Sequence, residues 1–72
     1  MTDTARLLEI IKGSGIKKGT IADSLGLTIQ GFMRKVKNIS EFKPSEIEKL
    51  CDILAIRSLK EKDSIFFAKK DD

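Results

Sequence analysis

The sequence predicts an all-α fold, one compact domain of four to five short helices. Three observations predict it. Apolar residues recur at i, i+3, i+4 spacing in successive segments, which places them on one face of a helix rather than of a strand. Each segment is bounded by a capping residue or a glycine. At 72 residues the chain is also near the lower limit at which one apolar core sustains a fold without metals or disulfides. No repeat, low-complexity tract or linker divides it, so 1–72 reads as a single domain.

The elements follow in order. Thr2, Asp3 and Thr4 are N-cap candidates ahead of Leu7, Leu8, Ile10 and Ile11, and Gly13-Ser14-Gly15 ends that first helix. A second short helix fits Lys18–Leu25, burying Ile21, Ala22 and Leu25, and stops at Gly26. Thr28 is placed to cap a third helix that runs to about Val36 or Lys37, with Ile29, Phe32, Met33 and Val36 at helical spacing. The residues from Lys37 to Glu41 read as a loop. Pro44 fits the first turn of a fourth helix, where its missing N–H costs nothing. Glu46 and Glu48 suit the helix dipole there, and Ile47, Leu50, Cys51 and Leu54 form the buried stripe.

The tail is less regular. Ser58 would cap a short helix through Lys62, and Ser64-Ile65-Phe66-Phe67-Ala68 either finishes that helix or runs extended, with the end of 64–72 expected to be disordered. So apolar a run near a terminus should not be left in water. It either closes the core against the first helix or forms a homodimer contact through Phe66 and Phe67. A domain this small needs the buried area, which favours closure.

Composition narrows the chemistry. There is no histidine, so the commonest general base, metal ligand and physiological-pH switch are all missing. The single cysteine, Cys51, allows no internal disulfide and no cysteine-built zinc site. With no histidine to activate it, Cys51 reads as a small core residue. No catalytic residue, metal site or cofactor loop is identified, and the expectation is a protein that is not an enzyme. The N-terminal segment lacks a basic region followed by an apolar stretch, and no apolar run approaches the roughly 20 residues that span a bilayer. The expectation is a cytoplasmic protein without membrane association.

The net charge of +3 is unevenly distributed. Residues 1–11 carry Arg6 against Asp3 and Glu9, a net of −1. Residues 12–43 carry Lys12, Lys17, Lys18, Arg34, Lys35, Lys37 and Lys43 against Asp23 and Glu41, a net of +5. Residues 44–72 return to −1. The positive charge sits in the middle block, where it can meet phosphates or another acidic surface.

That block contains the segment from Lys18 to Lys37. Two short helices are joined by a tight turn at Leu25-Gly26-Leu27. Ala22 is small where the helices would cross, Gly26 sits where positive φ is needed, and Leu27 plugs beneath it. Phe32 and Val36 anchor the next helix from inside. These are the requirements of a helix-turn-helix, although the spacing alone also matches other small helical bundles.

From about Leu7 to Ala68 the chain resembles the small Cro and repressor proteins of temperate phages, which share the λ-repressor-like fold. The nearest likeness is to a subgroup with an -R-K-L-N-N-K-S-E-F-x-x-S-E-I- segment. Here the run is Arg34-Lys35-Val36-Lys37-Asn38-Ile39-Ser40-Glu41-Phe42-Lys43-Pro44-Ser45-Glu46-Ile47, and Ile65-Phe66-Phe67 resembles the subgroup's aromatic C-terminus. The resemblance implies a five-helix bundle whose third helix enters the major groove of double-stranded operator DNA. By position, Lys18 would touch a phosphate and Thr28 would cap the recognition helix. Ile29, Gln30, Met33, Arg34 and Lys37 would form the groove-facing surface. Gln30 is able to pair with adenine, and Arg34 with guanine or a phosphate. Lys17, Lys37 and Asn38 would add phosphate contacts that set register.

The chain departs from the family at four positions. Ile29 and Met33 stand where polar residues are common, and they read no hydrogen-bond donor or acceptor. Gly31 lowers helix propensity by about 1 kcal/mol relative to alanine. Lys43 replaces a better N-cap before Pro44. Small phage proteins of the same fold act as antirepressors that bind the phage repressor and block its DNA-binding surface. Two functions are therefore expected: an operator-binding regulator of a lysogenic/lytic switch, or an antirepressor whose partner is the cognate phage repressor.

Overall fold

Asp3, the middle of the three capping candidates, opens the first helix. In the computed structural model, which describes residues 1–69, its carboxylate accepts a hydrogen bond from the Arg6 N–H at 3.2 Å. Helix α1 spans Thr4–Ser14 and buries Leu7 and Ile11. Helix α2 follows over Lys18–Ser24, α3 over Ile29–Val36, α4 over Pro44–Ile53 and α5 over Leu59–Phe66. The fold is all-α, with five helices and no strand among the described residues.

The second, third and fourth helices end by the same device. The residue just past the C-cap takes a left-handed conformation, and two backbone N–H groups turn back onto carbonyls that the helix leaves unpaired. At α2 the residue is Gly26, φ 72°; its N–H donates to Asp23 O and that of Leu27 to Ala22 O. At α3 it is Asn38, φ 65°, with Ile39 N–H donating to Arg34 O. At α4 it is Ala55, φ 56°, with Ile56 N–H donating to Cys51 O. Glycine tolerates this conformation freely, asparagine less so, and alanine at a cost of about 1–2 kcal/mol.

The core gathers at least one face of every helix. Leu7, Ile21, Phe32, Val36, Leu50 and Ile65 are fully buried, each contributing about 1.5–3 kcal/mol by removal from water. Phe42, on the loop between α3 and α4, stands edge-on to Phe32 (centroids 6.1 Å apart) and to Phe66 (5.7 Å). That bridge makes the loop part of the packing, which its polar composition hides. Arg6 and Glu61 lie 3.8 Å apart between α1 and α5, an exposed pair of little energetic weight.

The tail expectation is corrected in part. Ser64, Ile65 and Phe66 are helical rather than extended, so α5 continues past Lys62, and among the described residues that follow, Phe67, Ala68 and Lys69 lie outside the helix. Ile65 and Phe66 close the core. Phe66 is therefore not available for a dimer contact, whereas Phe67 is 58% exposed. The expected disorder of the chain end falls on residues 70–72, outside the described residues. Met1–Asp3 pack against the same region: Asp3 N–H donates to Ile65 O, and Ala68 N–H to Met1 O.

Lys43 has no side-chain acceptor to cap α4, and its neighbour Glu46 supplies the remedy. The Glu46 carboxylate accepts from the Lys43 N–H at 2.8 Å, half of a capping box. The same oxygen accepts from Lys35 Nζ at 2.6 Å. Burial alone would raise the Glu46 pKa, but the bonds from Lys35 and Lys43 outweigh it and hold the carboxyl below its ordinary range. No helix among the described residues is long and apolar enough to cross a membrane.

Candidate functional site

Helix α3 has two faces because its core-facing residues are spaced one turn apart. Phe32 and Val36 are fully buried, so the residues rotated away from them must face outward. Gln30, Arg34 and Lys37 are exposed, and their i, i+4, i+7 spacing aligns them in one stripe. Met33 lies beside them, partly buried against the core. The stripe offers one amide, one guanidinium and one ammonium, all donors suited to phosphates, base edges or carboxylates.

The N-terminal end of the stripe is held by a cap and a close helix contact. Thr28 Oγ1 accepts from the Gly31 N–H at 3.0 Å, and a side chain at position 31 would come within 3.1 Å of that hydroxyl. The glycine that lowers α3 propensity thus leaves room for its cap. Ile29 is 54% exposed, yet its Cδ1 lies only 3.3 Å from where a Cβ on Gly19 would be. Gly19 admits the isoleucine against the first turn of α2. This contact brings the Lys17-Lys18 end of α2 beside the start of α3, and both lysines are exposed.

Of the predicted site residues, Thr28, Ile29, Gln30, Met33, Arg34 and Lys37 therefore lie together on α3 and its flanks, with Lys17 and Lys18 adjoining. Asn38 stands apart. Its Oδ1 accepts from Thr2 N–H at 2.7 Å and its Nδ2 donates to Thr2 O at 2.8 Å, so its amide is engaged within the fold. Lys35 also leaves the free positive charge of the middle block, because its half-buried ammonium is paired with Glu46 at 2.6 Å. Lys12, absent from the predicted site, shares a groove with Lys17 and Lys18. Its only sequence signal is its place in the basic block at the end of α1.

Cys51 is buried on α4. Burial pushes its thiol above its ordinary pKa, and Asp52 and Glu61 act in the same direction against Lys62. It packs as a core side chain. Compared with known proteins, the chain matches no family model, no curated protein and no solved structure.

Proposed function

We propose that this protein is a DNA-binding regulator of the phage Cro/repressor kind that acts on operator DNA in a lysogenic/lytic switch. In this reading α2, the Leu25–Thr28 turn and α3 form a helix-turn-helix, and α3 enters the major groove. The observation that carries it is the exposed stripe of Gln30, Arg34 and Lys37 on a helix anchored from behind by Phe32 and Val36. Gln30 would read an adenine edge and Arg34 a guanine edge or a phosphate. Lys17 and Lys18 would meet the phosphates beside the start of α3 and set register without reading sequence.

One module presents little surface, and proteins of this kind gain affinity as dimers on two half-sites. With Phe66 in the core, a dimer contact would use Phe67 and Leu59, which are both exposed and border one shallow depression with Pro44.

A second reading rests on Ile29, more than half exposed at the tip of α3 beside Met33. Apolar side chains of that size suit a protein groove at least as well as a DNA groove. The protein would then act as an antirepressor, laying the α3 face against the cognate phage repressor.

One titration separates the two. Fluorescence anisotropy is measured on labelled DNA from the gene's own control region, at low and moderate salt, with and without the neighbouring repressor. Specific binding by the protein alone, weakening steeply as salt rises and counterions are released, is the outcome for a DNA regulator. Displacement of the repressor, with little binding by the protein alone, is the outcome for an antirepressor.

A further inference from the structure

The end of α1 and the start of α2 enclose a groove of about 480 Å³ that is separate from the exposed stripe of α3. Its floor is apolar, with Ile11 buried and Leu8 and Ile16 partly buried against the core. Its rim carries Lys12, Lys17 and Lys18, all exposed. The ion pairs among the described residues are Arg6–Glu61 and Lys35–Glu46, so none of these three ammonium groups has a carboxylate partner there. Gly15 also lines the groove, and a Cβ there would meet nothing within 4 Å.

The two halves of this groove ask for different things. A phosphate backbone would satisfy the lysines and leave the apolar floor against water. An uncharged apolar ligand would cover the floor and leave three like charges crowded around it, each losing hydration. A partner with bulky apolar side chains on one face and carboxylates flanking them satisfies both halves.

We propose that the groove docks an acidic amphipathic segment of a partner protein, with its apolar side chains on Leu8, Ile11 and Ile16 and its carboxylates facing Lys12, Lys17 and Lys18. Docking stands on the groove alone. One consequence rests on the DNA-binding reading: Lys17 and Lys18 serve both surfaces, so an acidic segment in the groove displaces DNA from them.

The probe is a fluorescein-labelled helical peptide with leucines along one face and glutamates beside them. It is compared with the same peptide carrying serine for leucine, and with a short duplex DNA. Methyl NMR of the full chain reads the site. The expected result is binding of the leucine peptide with shifts at the Leu8, Ile11 and Ile16 methyls. The serine peptide should bind at least about tenfold more weakly. K17E/K18E should weaken the leucine peptide at least about tenfold, while K49E/K60E, exposed lysines on α4 and α5, leaves it unchanged. Equal binding of the two peptides would reduce the groove to a cationic patch and overturn the proposal. Binding of DNA but of neither peptide, or peptide binding without shifts at those methyls, would overturn it as well. Because peptide binding is read without DNA, its failure leaves the operator reading untouched, and the reverse holds.

Discussion

Asn38 holds the backbone of Thr2 by both of its polar groups, accepting from the N–H at 2.7 Å and donating to the carbonyl at 2.8 Å. The same residue closes α3 in a left-handed conformation, φ 65°. Thr4 Oγ1 adds a bond to the Val36 carbonyl at 2.6 Å. The N-terminal segment is thereby tied to the last turn of the helix that carries the candidate site.

The two roles of Asn38 separate by substitution. Asn38→Gly keeps the backbone conformation and loses the amide clamp, so it should cost about 1–2 kcal/mol. Asn38→Ala loses the clamp and strains the backbone, so it should cost about 1 kcal/mol more. Urea denaturation followed by circular dichroism measures both. Equal stability of the two variants would show that the left-handed turn carries no strain.

Ala55 occupies in α4 the position that Gly26 occupies in α2, with φ 56° against 72°. Ala55→Gly should therefore stabilise the fold by about 1 kcal/mol, and Gly26→Ala should destabilise it by a similar amount. Thermal midpoints shifting in opposite directions would bear this out. A lower midpoint for Ala55→Gly would sink the comparison.

Glu46 links stability to pH. Its folded pKa lies below the ordinary 4.5, so its ionised form stabilises the fold above that value. The contribution is lost as pH falls through the lowered folded value. Lys35→Met should cost about 2–3 kcal/mol at about pH 7, because it strips a buried carboxylate of its cation. Glu46→Gln should lessen the loss of stability over the range in which pH falls through 4.5 and below. If the denaturation midpoints of Glu46→Gln and the parent protein fall in parallel over that range, Glu46 is not the group responsible.

The adjacent phenylalanines should part company. Phe66→Ala empties a core position 4% exposed and should cost about 3–5 kcal/mol, a large share of what a small domain has. Phe67→Ser should leave helical content intact. Sedimentation of the Phe67→Ser variant then tests the dimer: a dimeric parent and a monomeric variant place the contact at Phe67, and unchanged assembly excludes it.

On operator DNA, Gln30→Ala and Arg34→Ala should each cost about 1–3 kcal/mol and relax sequence preference, with folding unchanged because both side chains are exposed. Lys18→Ala should weaken specific and non-specific DNA alike and lower the salt slope by about 1. A uniform loss across sequences for Arg34→Ala would reassign it from a base to a phosphate.

The sequence by itself determined the helices and most of their buried stripes. Spacing and capping are local properties, and Asp3, Thr28, Pro44 and Ser58 each act within one turn of where they stand. It also located the turn at Gly26, because glycine announces a left-handed residue. Ala55 carries no such signal, and Ser64–Phe66 read equally well as helix or as extended chain.

Tertiary structure alone decided what depended on residues distant in the chain. The Phe42 bridge, the division of labour between Phe66 and Phe67 and the pairing of Lys35 with Glu46 arise only when separate helices meet. Asn38 and Lys35 share the polar character of Arg34 and Lys37, yet the fold engages the first pair internally and leaves the second on the surface. Composition counts a polar group, but only the packed structure fixes its partner, because hydrogen bonds and ion pairs act over a few ångströms while their partners here lie 11 to 36 residues away.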